Sequence, residues 1–251
     1  MGIVSFQTIE LAVLCGVVPP LVWLYFLLRE NTRCPEPRTL IFIAFLTGML
    51  VVPLAIPLES FFLNYFDAAN TACLATGGGC LQVIISWAIV EETLKYAACA
   101  ILILWRREVD QSLDFVIYML TVALGFAALE NTLFLITPLA QGNLFAANGA
   151  FALDNLRFMG STLLHVISSS AIGFAMAFSY HQPRVVRIVA AAAGLILAVT
   201  LHTLFNFFII SQAGSSVIDA FFLVWTGVVI FFALFEVLKY IRYRNLPANT
   251  C

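Results

Sequence analysis

Seven stretches of this chain run for about twenty residues with few polar side chains: 8–28, 39–58, 81–104, 113–137, 159–179, 188–210 and 217–238. A helix needs about 20 apolar residues to cross roughly 30 Å of hydrocarbon. Each window therefore predicts a membrane-spanning helix, and together they predict an all-α, polytopic helical bundle. The windows leave no room for a soluble domain, so residues 1–251 read as a single integral-membrane domain. The prolines at 19 and 20 lie inside the first window and predict a kink there, since neither can donate a backbone hydrogen bond.

The polar exceptions inside these windows carry more information than the windows do. Glu91, Glu92 and Lys95 lie in the third, Glu130 and Asn131 in the fourth, His165 in the fifth, and His202 with Asn206 in the sixth. Counted from the outer end of each window, Glu91 is 10 residues in, Glu130 7, His165 6 and His202 8. At 1.5 Å rise per residue these are depths of about 15, 11, 9 and 12 Å. Four helices of alternating direction thus deliver polar groups to one layer in the outer half of the membrane. Glu91 and Lys95 are four apart and share a face, as do Phe126 and Glu130, and His202 and Asn206. Glu92 is turned about 100° from Glu91, which suits it to holding Lys95 or a neighbouring helix.

Composition and charge agree. Hydrophobic residues make up 62% of the chain and charged residues 10%, against about 25% charged in soluble domains. Ten of the twelve basic residues fall on one side: Arg29, Arg33, Arg38, Arg106, Arg107, Arg184, Arg187, Lys239, Arg242 and Arg244. The positive-inside bias then predicts an external N-terminus and a cytoplasmic C-terminus, which requires an odd number of spans. The first window lacks the basic flank and cleavage site of a signal peptide and reads as a retained span. Cys73 and Cys80 flank Gly77, Gly78 and Gly79 in an outer loop, where a disulfide is permitted. Nothing points to nucleic acid. The sequence is silent on oligomeric state.

Several polar positions have an ordinary structural reading. Glu10, Glu59, Asp114, Asp219 and Glu236 lie near window ends, where interfacial water suffices. Ser168, Ser169 and Ser170 suggest a small-residue packing face, Ala190 to Gly194 a close helix contact, and His181 a solvated loop. Interhelical hydrogen bonds, worth about 0.6 kcal/mol per contact, can account for any one of the deeper sites alone. Their common depth favours a reactive centre, because ionisable groups at that depth are expensive and generally functional.

The chemistry this set can support is hydrolysis. Glu91 suits a general base for water, with Lys95 offsetting its charge. His202 and Asn206, one turn apart, can face a developing oxyanion, and Glu130 and His165 can orient water or shuttle the proton. The chain has no H-E-x-x-H helix, no G-x-S-G and no G-x-G-D. A metal is not required by these roles, but zinc remains open, with Glu130, His165 and His202 as candidate ligands. Two other classes compete: a proton-coupled transporter or channel, which would show internal repeats, and a non-catalytic membrane scaffold, which would have little use for Glu91 and Glu92.

Glu91-Glu92-x-x-Lys95, Gly125-Phe126-Ala127-x-x-Glu130-Asn131, His165 with Gly173, and His202-x-x-x-Asn206 stand in an order and spacing that resembles the PrsW family of intramembrane proteases. That family is distantly similar to the CAAX prenyl endopeptidases and to the scaffold subunit of gamma-secretase. The resemblance covers about residues 85–210 and implies an α-helical membrane protease, often classed as a metalloprotease, in a bacterial cytoplasmic membrane. It further implies a single-pass membrane protein as substrate, such as an anti-sigma factor cut on its outer side. In the CAAX relatives the first Glu of the pair activates water and the His-x-x-x-Asn motif forms an oxyanion site, which maps onto Glu91, His202 and Asn206. Their second motif ends in His where this chain has Glu130. The four helices of 81–210 are the expected catalytic core.

Overall fold

A computed structural model describes residues 5–30, 35–68, 80–140, 150–210 and 216–244. Its elements are seven helices: α1 Phe6–Glu30, α2 Arg38–Phe66, α3 Leu81–Leu102, α4 Ser112–Ala140, α5 Ala150–Phe178, α6 Arg184–Ile210 and α7 Ser216–Tyr243. No strand occurs among the described residues. The fold is an all-α, polytopic helical bundle. Pro19 and Pro20 lie within α1, which continues through them.

Six of the seven helices are apolar and long enough to cross a membrane on their own composition. The exception is α3, whose 22 residues span about 33 Å but carry Glu91, Glu92 and Lys95. All three side chains are buried within the bundle. Its charges are met partly within the helix, where Lys95 pairs with Glu91 and Glu92, and partly by side chains of α5 and α6.

At the centre stands α4. In its apolar window 89% of residues are buried, against 28% in α1, α6 and α7, as expected of a helix that is hydrophobic all round. It packs against α1, α2 and α5 most extensively, while α3 packs on α2 and α6. Two glycines set the α2–α4 crossing. A Cβ on Gly48 would overlap the Val122 carbonyl oxygen, and one on Gly125 would overlap the Phe45 carbonyl oxygen. Backbone therefore meets backbone at this crossing, the close approach that small residues permit in membranes. Gly194 does the same for α6, lying against Ala171, Ile172 and Ala175 of α5, which is the contact expected of the Ala190 to Gly194 run.

The end of α4 far from Glu130 is tied down by polar groups. Asp114, read from sequence as interfacial, is buried, and its Oδ2 accepts the backbone N–H groups of Asp110 and Gln111 at 2.9 and 2.8 Å. The Tyr118 hydroxyl donates to Glu36 at 2.6 Å and the Tyr180 hydroxyl to the Asp110 carbonyl at 2.9 Å. His181 is exposed, as expected of a loop residue. Cys80 is disulfide-bonded; Cys73, its expected partner, lies outside the described residues. Cys34, Cys251 and the Gly77–Gly79 run also lie outside them, as do the side chains of Arg157 and Asp219.

Candidate active site

The centre of the site is Glu92, a fully buried carboxylate one turn of α3 before Lys95. Its Oε1 accepts from Lys95 Nζ at 2.9 Å and His202 Nδ1 at 2.9 Å, and lies 3.1 Å from Ser168 Oγ. Its Oε2 accepts from Ser169 Oγ at 2.8 Å. The residue thus holds Lys95 on its own helix and binds α3 to both α5 and α6. Ser168 also lies 2.9 Å from the Leu164 carbonyl, so its single proton has two places to go, whereas Ser169 is committed to Glu92.

Lys95 is the second hub. Its buried ammonium donates to Glu91 Oε2 at 3.3 Å as well as to Glu92, lies 2.8 Å from His165 Nδ1, and sits 4.0 Å above the Phe126 ring. An ammonium has three protons and no lone pair, so His165 Nδ1 must be the acceptor of that contact. The His165 proton is then on Nε2, which donates to Glu130 Oε2 at 2.6 Å. A carboxylate only accepts, so His202 Nδ1–H donates to Glu92, leaving Nε2 facing Glu91 Oε2 at 3.8 Å. Nε2 can therefore donate to an oxyanion only as an imidazolium, a form the Glu92 carboxylate supports.

The four helices converge as the common depth required. His165 Nδ1 and His202 Nε2 lie 3.9 and 3.8 Å from the same oxygen of Glu91, and the two imidazole centroids are 5.2 Å apart, edge to face. A cavity of about 220 Å³ opens beside them. Glu91, Glu130, Asn131, His165, His202 and Asn206 all line it. Asn131 is also anchored to α5, its Nδ2 donating to Thr162 Oγ1 at 3.0 Å. Glu92 and Lys95 stand behind the wall. Glu91, Glu92, Lys95, His165 and His202 are 5% exposed or less, while the Glu130 side chain keeps 40% of its surface in the cavity.

Three contributors escape a reading of the sequence. Glu59 of α2 lines the cavity although it reads as interfacial, because α2 runs on to Phe66 and carries Glu59 inside the bundle. Ser168 and Ser169 read as packing residues. The signal that would have singled them out is their spacing, three and four residues from His165 and so on its face, opposite a carboxylate that needs buried donors.

Glu91, His165 and His202 each offer one ligand atom, and these atoms lie within 4.8 Å of one another. Glu130, expected in this set, instead accepts from the remote nitrogen of His165, as Glu92 does from that of His202. Carboxylates on the far side of both imidazoles are the outer partners a metal-binding histidine normally has. Three carboxylates face one ammonium here, so two negative charges are uncompensated when the imidazoles are neutral, and a dication would balance them. The set fits a zinc-type ion, provided Lys95 releases His165 Nδ1.

Comparison with known proteins bears on this geometry. Residues 36–237 match the family described as PrsW family intramembrane metalloprotease. A protein named Protease PrsW from Geobacillus kaustophilus (strain HTA426) is 30% identical over 122 residues, 48% of this chain and 50% of the relative. Protease PrsW from Bacillus subtilis (strain 168) is 27% identical over 122 residues, 48% of this chain and 52% of the relative. Protease PrsW from Clostridioides difficile (strain 630) is 20% identical over 202 residues, 79% of each. The chain spans about half the length of the Geobacillus and Bacillus relatives in these matches. No solved structure matches it.

Proposed function

The chain belongs to the PrsW family of intramembrane metalloproteases, and from that premise we propose that it is an endopeptidase that cuts a membrane-anchored protein within the bilayer. One observation carries the reading. Six ionisable side chains from α3, α4, α5 and α6 meet around a polar cavity inside a predominantly apolar bundle. Such groups are costly at membrane depth, and buried ion pairs are weak contributors to stability. Holding helices together would have been achieved more cheaply by hydrocarbon.

In this reading Glu91 is the general base. It faces the cavity and takes a proton from water, while Lys95 offsets its charge and fixes its rotamer. As the tetrahedral oxyanion forms, the His202 imidazolium donates from Nε2 and Asn206 donates from its amide, one turn further along α6. Glu92 holds His202 in that orientation through Nδ1, and Glu130 does the same for His165 through Nε2. The expected catalytic residues Glu91, Glu92, Lys95, Glu130, Asn131, His165, His202 and Asn206 keep these roles as proposals, with α3–α6 as the catalytic core and Glu59 an added wall from α2. The substrate is a single-pass membrane protein, such as an anti-sigma factor, cut near the outer face. The bundle sits with its basic helix ends in the cytoplasm.

A second reading rests on the converging donors. Glu91, His165 and His202 would hold a zinc-type ion, which when bound supplies Lewis-acid polarisation and an acidified water. Purified protein assayed on a reconstituted single-pass substrate separates the two. Chelation that abolishes cleavage, with recovery on adding zinc, favours the second reading; cleavage that survives chelation favours Glu91 acting directly. Unchanged cleavage by Glu91→Gln would remove both.

A further inference from the structure

A groove of about 510 Å³, larger than the polar cavity, is bounded by α5, α6 and α7. Its floor includes Ala171 and Phe174 of α5, and its sides include Leu197 of α6 and Ile230 of α7. Leu164 and Phe205 line both the groove and the catalytic cavity. The two hollows therefore share a wall that includes Phe205, the residue before Asn206.

From that shared wall we infer that the groove is the docking site for the inner half of the substrate's transmembrane helix. This rests on the endopeptidase reading. The lengths agree. Groove residues run from 164 to 178 on α5, from 193 to 205 on α6 and from 223 to 234 on α7, which is about 17 to 21 Å along the bundle. A bond cut about 9 to 15 Å below the outer surface of a core of roughly 30 Å leaves about 15 to 21 Å of substrate beneath it. The groove starts at the catalytic layer and leads away from it over that distance. Leu197 and Ile230 are more than half exposed, in a bundle surrounded by hydrocarbon. A phospholipid is a poorer occupant, because the lining contains no Lys, Arg or His to hold a phosphate and its polar members are Ser170 and Thr226.

Site-directed cross-linking tests the inference. The protein, made as Glu91→Gln so that substrate persists, carries a photoreactive benzophenone side chain in place of Leu197, Leu201, Ile230 or Leu234. Control positions are Phe42 of α2 and Val229 of α7, both exposed outside the groove. Each version is reconstituted in phosphatidylcholine vesicles with a biotinylated synthetic peptide of about 20 apolar residues flanked by lysines. Peptide adducts should form several-fold more at groove positions than at the controls. Adducts from Leu201 and Leu234 should map to peptide residues about seven or eight apart. Equal yields at groove and control positions, or adducts to phospholipid alone, would overturn the inference. The same set made as Asn206→Ala guards against a folding defect in Glu91→Gln. Binding is read here without cleavage, so groove adducts in a protein whose wild type cuts nothing would sink the endopeptidase reading and leave the docking site. A cutting wild type with no groove adducts would do the reverse.

Discussion

At the scale of single residues, the assignment of protons separates parts that the sequence places on an equal footing. Glu91 and Glu92 are adjacent, yet Glu91 faces the cavity and Glu92 is fully enclosed by four donors. Glu91→Gln should therefore abolish cleavage with little change in thermal stability in detergent. Removing a hydroxyl from the enclosed carboxylate is a different matter. Ser169→Ala leaves one Glu92 oxygen without its donor and should cost about 1.5 to 3 kcal/mol, the range for a hydrogen bond to a charged group, read as a lowered melting temperature. Lys95→Met strips the ammonium from two buried carboxylates and should be costlier still, about 3 to 5 kcal/mol. On the reactive side, His202→Ala should remove nearly all turnover. Asn206→Ala should lower it on the order of 10²-fold, since it deletes one oxyanion donor among several. Initial rates for both variants at matched membrane abundance check that order, and an Asn206→Ala enzyme slower than His202→Ala would reverse the roles. The sequence showed which residues were out of place in hydrocarbon. It could not show which oxygen each nitrogen meets, because that depends on the rotation of each helix about its axis. For the same reason Glu91 rather than Glu130 stands with the two histidines.

At the scale of helices, the apolar windows located every element. The expected 39–58 became Arg38–Phe66 and the expected 159–179 became Ala150–Phe178, so the helices overrun the hydrocarbon stretch where nothing in the sequence stops them. That overrun is what hid Glu59, which reads as interfacial at the end of a window and lies inside the bundle on a longer helix. The crossing of α2 with α4 was not legible either, since a lone glycine in each helix carries no sign of its partner. It yields a prediction. A methyl group at Gly125 has no space against the Phe45 carbonyl, so Gly125→Ala must push α4 from α2 by moving backbone, and overpacking of this kind costs about 1 to 3 kcal/mol or more. Because Gly125 is on the helix that carries Glu130, the variant should lose activity as well as stability. Thermal aggregation in detergent measures the first effect, and unchanged melting would show that the crossing can relax.

At the scale of the whole molecule, six ionisable groups gathered from four helices are an unusual use of an apolar bundle. Its burial is concentrated in α4, α5 and the inner face of α3, while α1, α6 and α7 keep broad lipid-facing surfaces. The polar centre is reached through a cavity, and an apolar groove adjoins it. This is the layout expected where substrate arrives sideways through the bilayer and water arrives separately. The central claim is that Glu91 makes this chain an intramembrane endopeptidase. The most direct measurement is a comparison of protein N-termini in bacterial membranes carrying the wild type or Glu91→Gln at equal abundance. New N-termini in or beside the membrane-spanning segment of a single-pass protein should appear with the wild type and be absent with Glu91→Gln. The same new termini in both membranes would contradict the account.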